Sequence, residues 1–279
     1  MRLLSGHARL AGVLGWPVSH SRSPRLHGYW LESLGIDGAY LPLPVQPGGF
    51  AAAVKALASL GFRGANVTIP HKEAAFAVCD AVDASARRAG AVNTLVFRDG
   101  RIEGSNTDGY GFIENVRDHV PEWAPSSGAA VLLGAGGAAR AIAAALLDAG
   151  CPRVTLVNRS RERAEALARD LGGPVDVADA PPLREAALLV NTTSLGMQGH
   201  PSLDIDLAPL PPSAVVADIV YVPLETPLLA AARARGLRTA EGLGMLLHQA
   251  RPGFEAWFGG APRVDAALRE LVAADIPPR

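Results

Sequence analysis

One short stretch, from Val131 to Arg140, constrains the fold of this chain more than any other. It reads VLLGAGGAAR, an apolar run followed by a glycine-rich turn and small helix-forming residues, with the spacing G-x-G-x-x-A. Because glycine has no side chain, such a turn can be tight and can approach a pyrophosphate closely. A helix over 138–147 would direct its N-terminal amides and the positive end of its dipole toward the phosphates. The stretch therefore predicts a dinucleotide site, with hydride transfer as the expected chemistry.

A second predicted strand, 153–157, ends in residues that bear on the choice of dinucleotide. It lies about twenty residues beyond the glycines, where a dinucleotide fold binds the adenosine ribose and an NAD enzyme usually carries Asp or Glu. This chain carries Asn158, Arg159 and Ser160 there, with Arg163 one helical turn further on. A guanidinium group suits a 2′-phosphate, which a carboxylate would repel. Each arginine alone could be the solvated start of a helix, but their shared position behind a glycine turn favours NADP over NAD.

The composition limits the class of protein. With 279 residues the chain is long enough for one large or two ordinary domains, and 49% hydrophobic residues allow a sizeable core. The formal net charge of -1 argues against a nucleic-acid or anionic-membrane surface. Two cysteines, Cys79 and Cys151, offer neither a metal-binding spacing nor a disulfide framework. Since the sequence shows neither a signal peptide nor a transmembrane-length apolar run, we expect a cytoplasmic enzyme with a small-molecule substrate and no nucleic-acid or membrane partner.

Strand and helix patterns alternate along most of the chain, which is typical of an α/β protein with parallel sheets covered by helices. The predicted strands are 10–14, 39–43, 64–69, 91–98, 101–104, 131–133, 153–157, 188–191 and 215–218, and the predicted helices are 26–34, 50–60, 70–79, 108–119, 138–147, 243–258 and 264–274. The fourth and fifth strands form an expected hairpin around Asp99-Gly100. The last two helices are too few for a domain of their own, so we expect them to pack on the first domain and make it discontinuous.

Lys72 is the first candidate for chemistry. It follows the predicted strand 64–69 in the segment NVTIPHKE, in the first turn of the next helix. The carboxyl edge of a parallel sheet is where α/β enzymes bind ligands. A lysine that gives and takes a proton is what carbonyl reduction requires. The alternative is a solvated lysine paired with Glu73, which is the more common state of a lone lysine.

Two further segments combine helix-capping residues with possible ligand contacts. In NTDG, Asp108 either caps a helix or pairs with a catalytic ammonium and holds a substrate hydroxyl, and the two roles are compatible. In SHSRSP, the hydroxyls of Ser21 and Ser23 precede a helix and either cap it or bind a carboxylate. His20 and His71 lack a ligand cluster, so no metal site is expected.

As a set, these segments resemble the shikimate dehydrogenase family. The resemblance rests on seven blocks in the family's order, which are SRSP from Ser21, NVTIPHKE from Asn66, GAVNT from Gly90, NTDG from Asn106, GAGGA from Gly134, NRS from Asn158 and EGLGML from Glu241. The resemblance extends over nearly the whole chain, from Val13 to the helix that contains Gln249. Each block alone is a weak signal, whereas seven in order are highly specific.

The resemblance implies a fold, a reaction and a domain arrangement. The fold is a two-domain α/β protein with a discontinuous substrate-binding domain, 1–106 and 241–279, and a Rossmann-like NADP-binding domain, 107–240. The reaction is the reversible NADPH-dependent reduction of 3-dehydroshikimate to shikimate, in chorismate and aromatic amino-acid biosynthesis. The active site is expected in the cleft between the domains, and the protein is expected to be a monomer or homodimer.

The resemblance also implies roles for individual residues. Lys72 resembles the family's catalytic acid/base, and Asp108 resembles its partner at the substrate. The implied substrate-binding residues are Ser21, Ser23, Thr68, Asn93, Asp108, Tyr221 and Gln249. The implied cofactor-binding residues are Gly134, Ala135, Gly136, Gly137, Ala138, Asn158, Arg159, Ser160, Arg163, Ile219 and Gly242. Some members differ at Ser105, Ile219 and Glu241, but these departures touch neither proton transfer nor phosphate binding.

Three alternatives remain open. A quinate or dual quinate/shikimate dehydrogenase tends to use NAD, with an acidic residue at the position of Asn158 and often Thr at that of Ser23, and this chain has neither. An aminoshikimate-type dehydrogenase is poorly excluded by sequence. A nucleotide-binding regulator that has lost catalysis is disfavoured because Lys72 and Asp108 are both present.

Overall fold

The computed structural model describes residues 3–277. Residues 1–2 and 278–279, which the predicted substrate-binding domain includes, lie outside the described residues. The strands are β1 (Arg9–Gly15), β2 (Gly38–Pro44), β3 (Gly64–Val67), β4 (Ala81–Val82), β5 (Thr94–Arg98), β6 (Arg101–Ser105), β7 (Ala129–Leu133), β8 (Val154–Val157), β9 (Val175–Val177), β10 (Ala186–Asn191), β11 (Val215–Asp218) and β12 (Arg238–Ala240). The helices are α1 (Ser23–Ser33), α2 (Phe50–Ser59), α3 (Lys72–Val78), α4 (Ala84–Ala89), α5 (Asp108–His119), α6 (Gly137–Asp148), α7 (Arg161–Leu171), α8 (Pro227–Ala234), α9 (Gly242–Phe258) and α10 (Ala266–Ala273). Short 3₁₀ turns lie at Pro47–Gly49, Pro125–Ser127 and Leu183–Glu185.

The chain forms two compact units. The first runs to Thr107 and includes Gln249–Ala274, and the second comprises Asp108–His248 with the terminal segment from Asp275. The first unit is therefore discontinuous in sequence, and α9 contributes residues to both units. The sequence predicts domain boundaries at 106/107 and 240/241. These boundaries separate a substrate-binding domain from a cofactor-binding domain, and that division stays a prediction.

The first unit is built on a mixed sheet in the order β2-β1-β3-β5-β6-β4. β1 pairs in parallel with β2 and β3, whereas β5 runs antiparallel to both β3 and β6. The hairpin β5–β6 turns at Asp99 and Gly100, both with positive φ, as the Asp-Gly signal predicts. All four residues of β3 are buried, which is expected of a strand with neighbours on both sides. Leu14, Val67 and Leu95 contribute to the core.

The last helix, α10, packs within the first unit. α1 begins at Ser23 with a proline in its first turn. Trp30 Nε1 donates to the carbonyl oxygen of Arg263, just before α10, at 2.8 Å. Arg22 Nη1 donates to the carbonyl oxygen of Val272 within α10 at 2.9 Å. These bonds join the first helix of the chain to the last.

The second unit is built on a sheet in the order β12-β11-β10-β7-β8-β9, in which every pair of neighbours is parallel. Its first strand, β7, lies in the middle, with the next two strands on one side and the last three on the other. This order is that of the dinucleotide-binding fold, so the Rossmann-like unit expected from the sequence is confirmed. Ligands of such sheets bind outside the carboxyl ends of the strands where the order reverses, which here is between β7 and β10.

The differences between expectation and structure concern the ends of elements, the shortest elements and the helix α7. The strand predicted over 64–69 ends at Val67, and the helix predicted from Pro70 begins at Lys72. The strand predicted from residue 91 begins at Thr94, because Gly90 ends α4 in a left-handed conformation and the chain needs residues to turn. The sequence patterns did not reveal β4, β9, β12, α4 and α8, which are too short to show a clear period. Of α7 they indicated only a possible start at the arginines after β8. Within residues 3–277, no helix combines the length and apolar character of a membrane span.

Candidate active site

The candidate substrate-binding residues of the first unit lie where two parallel strands end. β1 and β3 are neighbours, so the loops that follow them leave the same edge of the sheet. The Thr68 amide donates to the carbonyl oxygen of Leu14 at 2.9 Å, and the Trp16 amide donates to that of Ile69 at 3.1 Å. A Cβ at Gly15 would lie 2.6 Å from Thr68 Cγ2, so a larger residue at position 15 would displace the Thr68 side chain.

Ser21 and Ser23 lie in the loop after β1 and at the first position of α1. The Ser23 amide donates to the Ser21 hydroxyl at 3.3 Å, and Ser23 is buried. Burial raises the pKa of the Tyr40 phenol well above its usual range, and a hydrogen bond with the Ser23 side chain opposes that shift. The N-cap residue of α1 is Arg22, and no side chain of the described residues caps this helix. Neither serine hydroxyl therefore serves as the helix cap that the sequence allowed.

Lys72 is half-buried and is the first residue of α3. Its carbonyl oxygen accepts from the Val92 amide at 2.9 Å, which ties the start of α3 to the segment before β5. The preceding residue, His71, is 1% exposed and its Nε2 lies 2.7 Å from the carbonyl oxygen of Val45. The His71 ring also stacks on Phe50, with 4.6 Å between ring centroids. His71 is thus a packed residue that holds the main chain at Lys72.

Asn93 and Gln249 meet in the first unit, although 156 positions separate them in the chain. Asn93 Nδ2 donates to Gln249 Oε1 at 3.4 Å. Asn93 Oδ1 accepts from the Thr107 amide at 2.9 Å and from the Thr94 hydroxyl at 3.0 Å. The Thr107 hydroxyl donates to the carbonyl oxygen of Gln249 at 2.8 Å. The Thr107 amide and the Thr94 hydroxyl determine the orientation of the Asn93 side chain, because Asn93 Oδ1 must face these two donors.

The same network extends through Asn66 to Tyr40. The Tyr40 hydroxyl donates to Asn66 Oδ1 at 2.7 Å, and Asn66 Nδ2 donates to the Thr94 hydroxyl and the Asn93 carbonyl oxygen, both at 3.2 Å. Tyr40, Asn66, Thr94 and Thr107 are all buried. None of these four is among the site residues expected from the sequence. Asn66, Thr94 and Thr107 lie inside the sequence blocks quoted above, and that position was the signal that could have found them. Tyr40 is indistinguishable by sequence from an ordinary strand residue.

The predicted glycine turn joins β7 to α6 in the second unit. Gly134 has a φ of 120°, and a Cβ there would lie 2.5 Å from Thr192 Oγ1. Gly136 is the N-cap of α6 and Gly137 is its first residue. Both are exposed, and within residues 3–277 no atom beyond the adjoining chain lies within 4 Å of a Cβ built at either position. The turn therefore leaves open space before the N-terminus of α6, as the binding of a phosphate group requires.

The loop after β8 carries the residues predicted to bind a 2′-phosphate. Asn158 Nδ2 donates to the carbonyl oxygen of Ser160 at 2.8 Å, which shapes the turn into α7. Arg159 and Arg163 are exposed. Arg161 instead forms ion pairs with two carboxylates, at 2.8 and 2.7 Å. The structure thus separates Arg161, which is engaged within the unit, from Arg159 and Arg163.

Ile219 and Gly242 meet in the second unit. Ile219 follows β11, and Gly242 is the first residue of α9. A Cβ at position 242 would lie 2.4 Å from the carbonyl oxygen of Ile219 and 2.6 Å from that of Val220, so α9 can begin here only with glycine. Tyr221 lies in the same loop and is half-buried.

Asp108 is the first residue of the second unit and of α5, and it is 9% exposed. A Cβ at Gly109 would lie 2.4 Å from the Cβ of Ala145 and 2.7 Å from the carbonyl oxygen of Ala141. α5 therefore packs closely on α6, the helix that follows the glycine turn. This packing determines where the main chain of Asp108 lies within the second unit.

Comparison with known proteins identifies the family. Residues 13–95 match the shikimate dehydrogenase substrate binding domain, and residues 120–194 match shikimate / quinate 5-dehydrogenase. A shikimate dehydrogenase (NADP(+)) of Acidiphilium cryptum is 68% identical over 277 residues, which are 98% of this chain and 99% of the relative. Another, of Paramagnetospirillum magneticum, is 64% identical over 274 residues, which are 96% of this chain and 99% of the relative. The chain belongs to the shikimate dehydrogenase family.

A solved structure of a family member agrees with this assignment. It is the crystal structure of shikimate 5-dehydrogenase from Thermus thermophilus in complex with NADP(H) and shikimate, with a TM-score of 0.85. That protein is 38% identical, and the match covers 95% of this chain and 99% of that chain. The family and the fold class expected from the sequence are confirmed.

The second unit of this shikimate dehydrogenase family member fits the cofactor NADP. The glycine turn, together with Ala135 and Ala138, provides main-chain donors without a large side chain that would fill the space. The exposed guanidinium groups of Arg159 and Arg163 suit a 2′-phosphate, which accepts paired hydrogen bonds from such a group.

The two cysteines are not poised to react. Burial raises the pKa of the Cys79 thiol to about 11 and also raises that of Cys151. A thiol with a raised pKa is a poor nucleophile near neutral pH, because the thiolate is the reactive form. Among the described residues, no group of three or more His, Cys, Asp or Glu side chains could hold a metal ion.

Proposed function

We propose that this chain catalyses the reversible NADPH-dependent reduction of 3-dehydroshikimate to shikimate. The observation that carries the proposal is the chain-long match to NADP-dependent shikimate dehydrogenases. The polar residues at the carboxyl ends of β1 and β3 and the glycine turn after β7 support it, since a polyol carboxylate needs short polar donors and a dinucleotide needs an open helix N-terminus.

Substrate binding is assigned to hydroxyl, amide and phenol side chains. Ser21 and Ser23 are proposed to bind the substrate carboxylate through their hydroxyl groups. Thr68, Asn93 and Gln249 are proposed to bind the substrate hydroxyls. The joined amides of Asn93 and Gln249 support this assignment because paired amides offer both donors and acceptors to a diol. Tyr221 is proposed to contact the substrate from the loop after β11.

Proton transfer to and from the substrate is assigned to Lys72. Bound NADPH supplies the hydride that the substrate carbonyl carbon accepts. Lys72 is proposed to protonate the developing alkoxide oxygen during reduction and to remove the same proton during oxidation. Asp108 is proposed to stabilise the ammonium form of the lysine and to orient the reacting oxygen. The half-buried position of Lys72 at the start of α3 supports its role, since a fully solvated lysine would be poorly oriented.

The cofactor roles are assigned to the second unit. The turn Gly134, Ala135, Gly136, Gly137 and Ala138 is proposed to hold the pyrophosphate. Asn158, Arg159, Ser160 and Arg163 are proposed to bind the adenosine ribose and its 2′-phosphate, and the exposure of both arginines supports this. Ile219 and Gly242 are proposed to lie beside the nicotinamide.

One assay tests the proposed reaction and its rivals. Initial rates of NADP⁺ reduction by shikimate are measured on the full chain, with quinate as the alternative substrate and NAD⁺ as the alternative cofactor. Since quinate is saturated and carries an extra tertiary hydroxyl beside its carboxylate, we expect Ser21, Ser23 and Gln249 to disfavour it. The expected kcat/KM for shikimate exceeds that for quinate by at least about a hundredfold. Equal use of both substrates would favour a dual-specificity dehydrogenase, and no oxidation of either would favour a nucleotide-binding regulator.

The cellular setting completes the proposal. We propose that residues 1–106 with 241–279 act as the substrate-binding domain and 107–240 as the NADP-binding domain. The enzyme is proposed to work in the cytoplasm as a monomer or homodimer, in chorismate and aromatic amino-acid biosynthesis. Sedimentation velocity of the purified protein distinguishes the two oligomeric states.

A further inference from the structure

We propose that Asp218 is a positioning residue for the nicotinamide end of the cofactor site. Its carboxylate holds the peptide between Ile219 and Val220 in the one position that Gly242 accommodates. The inference rests on the proposed function, because Ile219 and Gly242 matter to catalysis only if NADP binds in the second unit. Asp218 is the last residue of β11 and is 1% exposed.

The carboxylate of Asp218 accepts hydrogen bonds from three different segments of the second unit. Oδ1 accepts from the Val220 amide and from Asn191 Nδ2, both at 3.0 Å. Oδ2 accepts from the Thr226 hydroxyl at 2.8 Å. Asn191 ends β10 and Thr226 is the N-cap of α8. One buried side chain therefore joins the ends of two parallel strands to the start of the next helix.

The partners of Asp218 are themselves fixed. Asn191 Oδ1 accepts from the amide and the hydroxyl of Thr193, at 3.0 and 2.7 Å, and Asn191 Nδ2 also donates to the carbonyl oxygen of Leu195 at 3.0 Å. Asn191 and Thr226 are both 0% exposed. Since the donors to Asp218 are buried, rotation of its carboxylate would leave them without acceptors, at about 1–3 kcal/mol each.

The cluster holds two consecutive amides of the loop after β11. The Ile219 amide donates to the carbonyl oxygen of Asn191 at 3.1 Å, and the Val220 amide donates to Asp218. The carbonyl groups of the same two residues face Gly242, where a Cβ would lie 2.4 Å from one oxygen and 2.6 Å from the other. The loop is therefore held from its amide side and has no space on its carbonyl side, so a small shift of the peptide would move it against α9.

The role requires a hydrogen-bond acceptor at position 218 and does not require a charge. Burial raises the pKa of Asp218 to about 6, and the bonds from Val220, Thr226 and Asn191 oppose that shift. The neutral acid still has a carbonyl oxygen for the Val220 amide. An asparagine at this position offers the same oxygen to Val220 and Asn191, and its amide group can donate to the Thr226 hydroxyl. Asp218→Asn is therefore the conservative variant, and Asp218→Ala is the disruptive one.

Thr226 provides a matched control within the same cluster. Thr226→Val removes the bond to Oδ2, which faces α8, and leaves the bond between Oδ1 and the Val220 amide. This variant also loses the cap of α8, so it should lower the thermal unfolding temperature. If Asp218 acts through the Val220 peptide, Thr226→Val should leave cofactor binding within about twofold of wild type.

The experiment compares binding of the whole cofactor with binding of its remote end, on the full chain. Kd is measured by titration calorimetry for NADP⁺ and for adenosine 2′,5′-bisphosphate, which lacks the nicotinamide. We expect Asp218→Ala to weaken NADP⁺ binding about fivefold and to leave adenosine 2′,5′-bisphosphate within about twofold. Its kcat with shikimate should fall roughly tenfold to a hundredfold while KM for shikimate changes little. Asp218→Asn should keep both Kd values and kcat within about threefold of wild type.

Two outcomes would overturn the inference. One is an unchanged ratio of the two Kd values in Asp218→Ala, whether neither ligand or both ligands lose affinity. The other is an Asp218→Asn variant as impaired as Asp218→Ala. If Asp218→Ala does not fold, Asp218→Val, which fills the same space without an acceptor, replaces it in both titrations. The binding ratio needs no turnover, so it tests Asp218 even if wild-type protein does not oxidise shikimate, a result that would count against the proposed function alone.

Discussion

Each unit of the molecule buries an ionisable side chain whose pKa is strongly shifted, and the surroundings of that side chain differ between the two units. In the first unit His27 is 0% exposed, and neither ring nitrogen makes a hydrogen bond of good geometry within residues 3–277. Its ring stacks on Tyr40 with 3.9 Å between centroids and lies among Trp30, Phe254 and Trp257. Burial lowers the pKa of His27 to about 3, because aromatic surroundings do not replace the hydration of an imidazolium, and the nearby Asn66 side chain opposes only part of that shift.

In the second unit Asp218 is equally buried but is surrounded by donors. Three hydrogen bonds hold its pKa at about 6, although burial raises it. Both groups are driven toward their neutral forms by loss of water, and the number of polar partners decides how far. The first unit thus uses an ionisable residue as one ring of an aromatic core, whereas the second uses one as an anchor for loops.

The same contrast applies to the candidate site residues. In the first unit Asn93 is 2% exposed and bonded to other side chains, so its amide is oriented before any substrate arrives. In the second unit Arg159 and Arg163 are exposed, and the main chain of the glycine turn supplies the fixed part of the site. We expect mutations in the first unit to affect the chemical step and substrate choice, and mutations of the exposed arginines to affect cofactor affinity.

The largest expected effect separates chemistry in the first unit from cofactor binding in the second. Lys72→Ala should lower kcat by roughly 10²–10⁴-fold, because a positioned proton donor contributes that much. Affinity for shikimate should fall far less, and Kd for NADP⁺ should stay within about twofold. Steady-state kinetics and calorimetry measure both. Lys55→Ala, at an exposed lysine of α2, is the control. A Lys72→Ala enzyme with near-parental kcat would show that another group transfers the proton.

The next effect concerns His27 and pH. The unfolded chain binds a proton at this residue near pH 6.5 and the folded chain only near pH 3, so folding stability from this group is lost as pH falls below 6.5. Between pH 7 and pH 4.5 the loss is about 2.5 kcal/mol. His27→Phe keeps the aromatic ring and removes the titration. Urea unfolding of both proteins at the two pH values measures the difference, and parallel pH dependence in wild type and variant would refute the burial argument.

A smaller effect is expected for cofactor choice in the second unit. Arg159→Ala should weaken NADP⁺ binding by about 1.5–3 kcal/mol, because it removes charged hydrogen bonds to the 2′-phosphate. NAD⁺, which lacks this phosphate, should bind almost unchanged. Arg169→Ala, at an exposed arginine in the last turn of α7, controls for the general loss of positive charge. Equal losses for NADP⁺ and NAD⁺ would mean that Arg159 supports the fold or binds another part of the cofactor.

The smallest expected effect is the pH dependence of folding stability that Asp218 contributes. The pKa of Asp218 is near 6 in the folded chain and near its ordinary 3.8 in the unfolded chain, so the folded state binds the extra proton between these values and loses stability as pH rises through that range. From pH 4.5 to pH 7 the loss is about 2 kcal/mol, opposite in direction to that of His27. Asp218→Asn should lack this slope in the same urea experiments. A wild-type slope that Asp218→Asn retains would place the titration elsewhere.

Local elements were predictable where a backbone requirement or a clear period existed. The turn at Gly134 needs a positive φ, the hairpin at Asp99-Gly100 needs two of them, and α5 spans Asp108–His119 as predicted. Short elements such as β4 and α8 were missed because a few residues show no period. The seven sequence blocks also indicated most of the candidate site residues. The roles of these residues stay predictions until they are measured.

Neither Tyr40 nor Asp218 could be found in this way. Tyr40 lies in a strand where an aromatic residue is ordinary, and its link to Asn66 spans 26 positions. Asp218 ends a short apolar strand, and its bond to Asn191 spans 27 positions. In both cases the property that matters is the partner of a polar atom, which depends on strand order and not on neighbouring residues.

The sequence by itself determined the dinucleotide turn, the order of the family's blocks and the kinds of group available for chemistry, because these depend on the φ preferences of glycine and on the side chains themselves. Only the tertiary structure decided that Asn93 meets Gln249 across 156 positions, that Arg161 is paired while Arg159 is exposed, and that His27 and Asp218 are both buried with different partners. The physical reason is that burial and hydrogen-bond partnership arise from packing between distant segments, and a side chain's pKa and orientation follow from that packing.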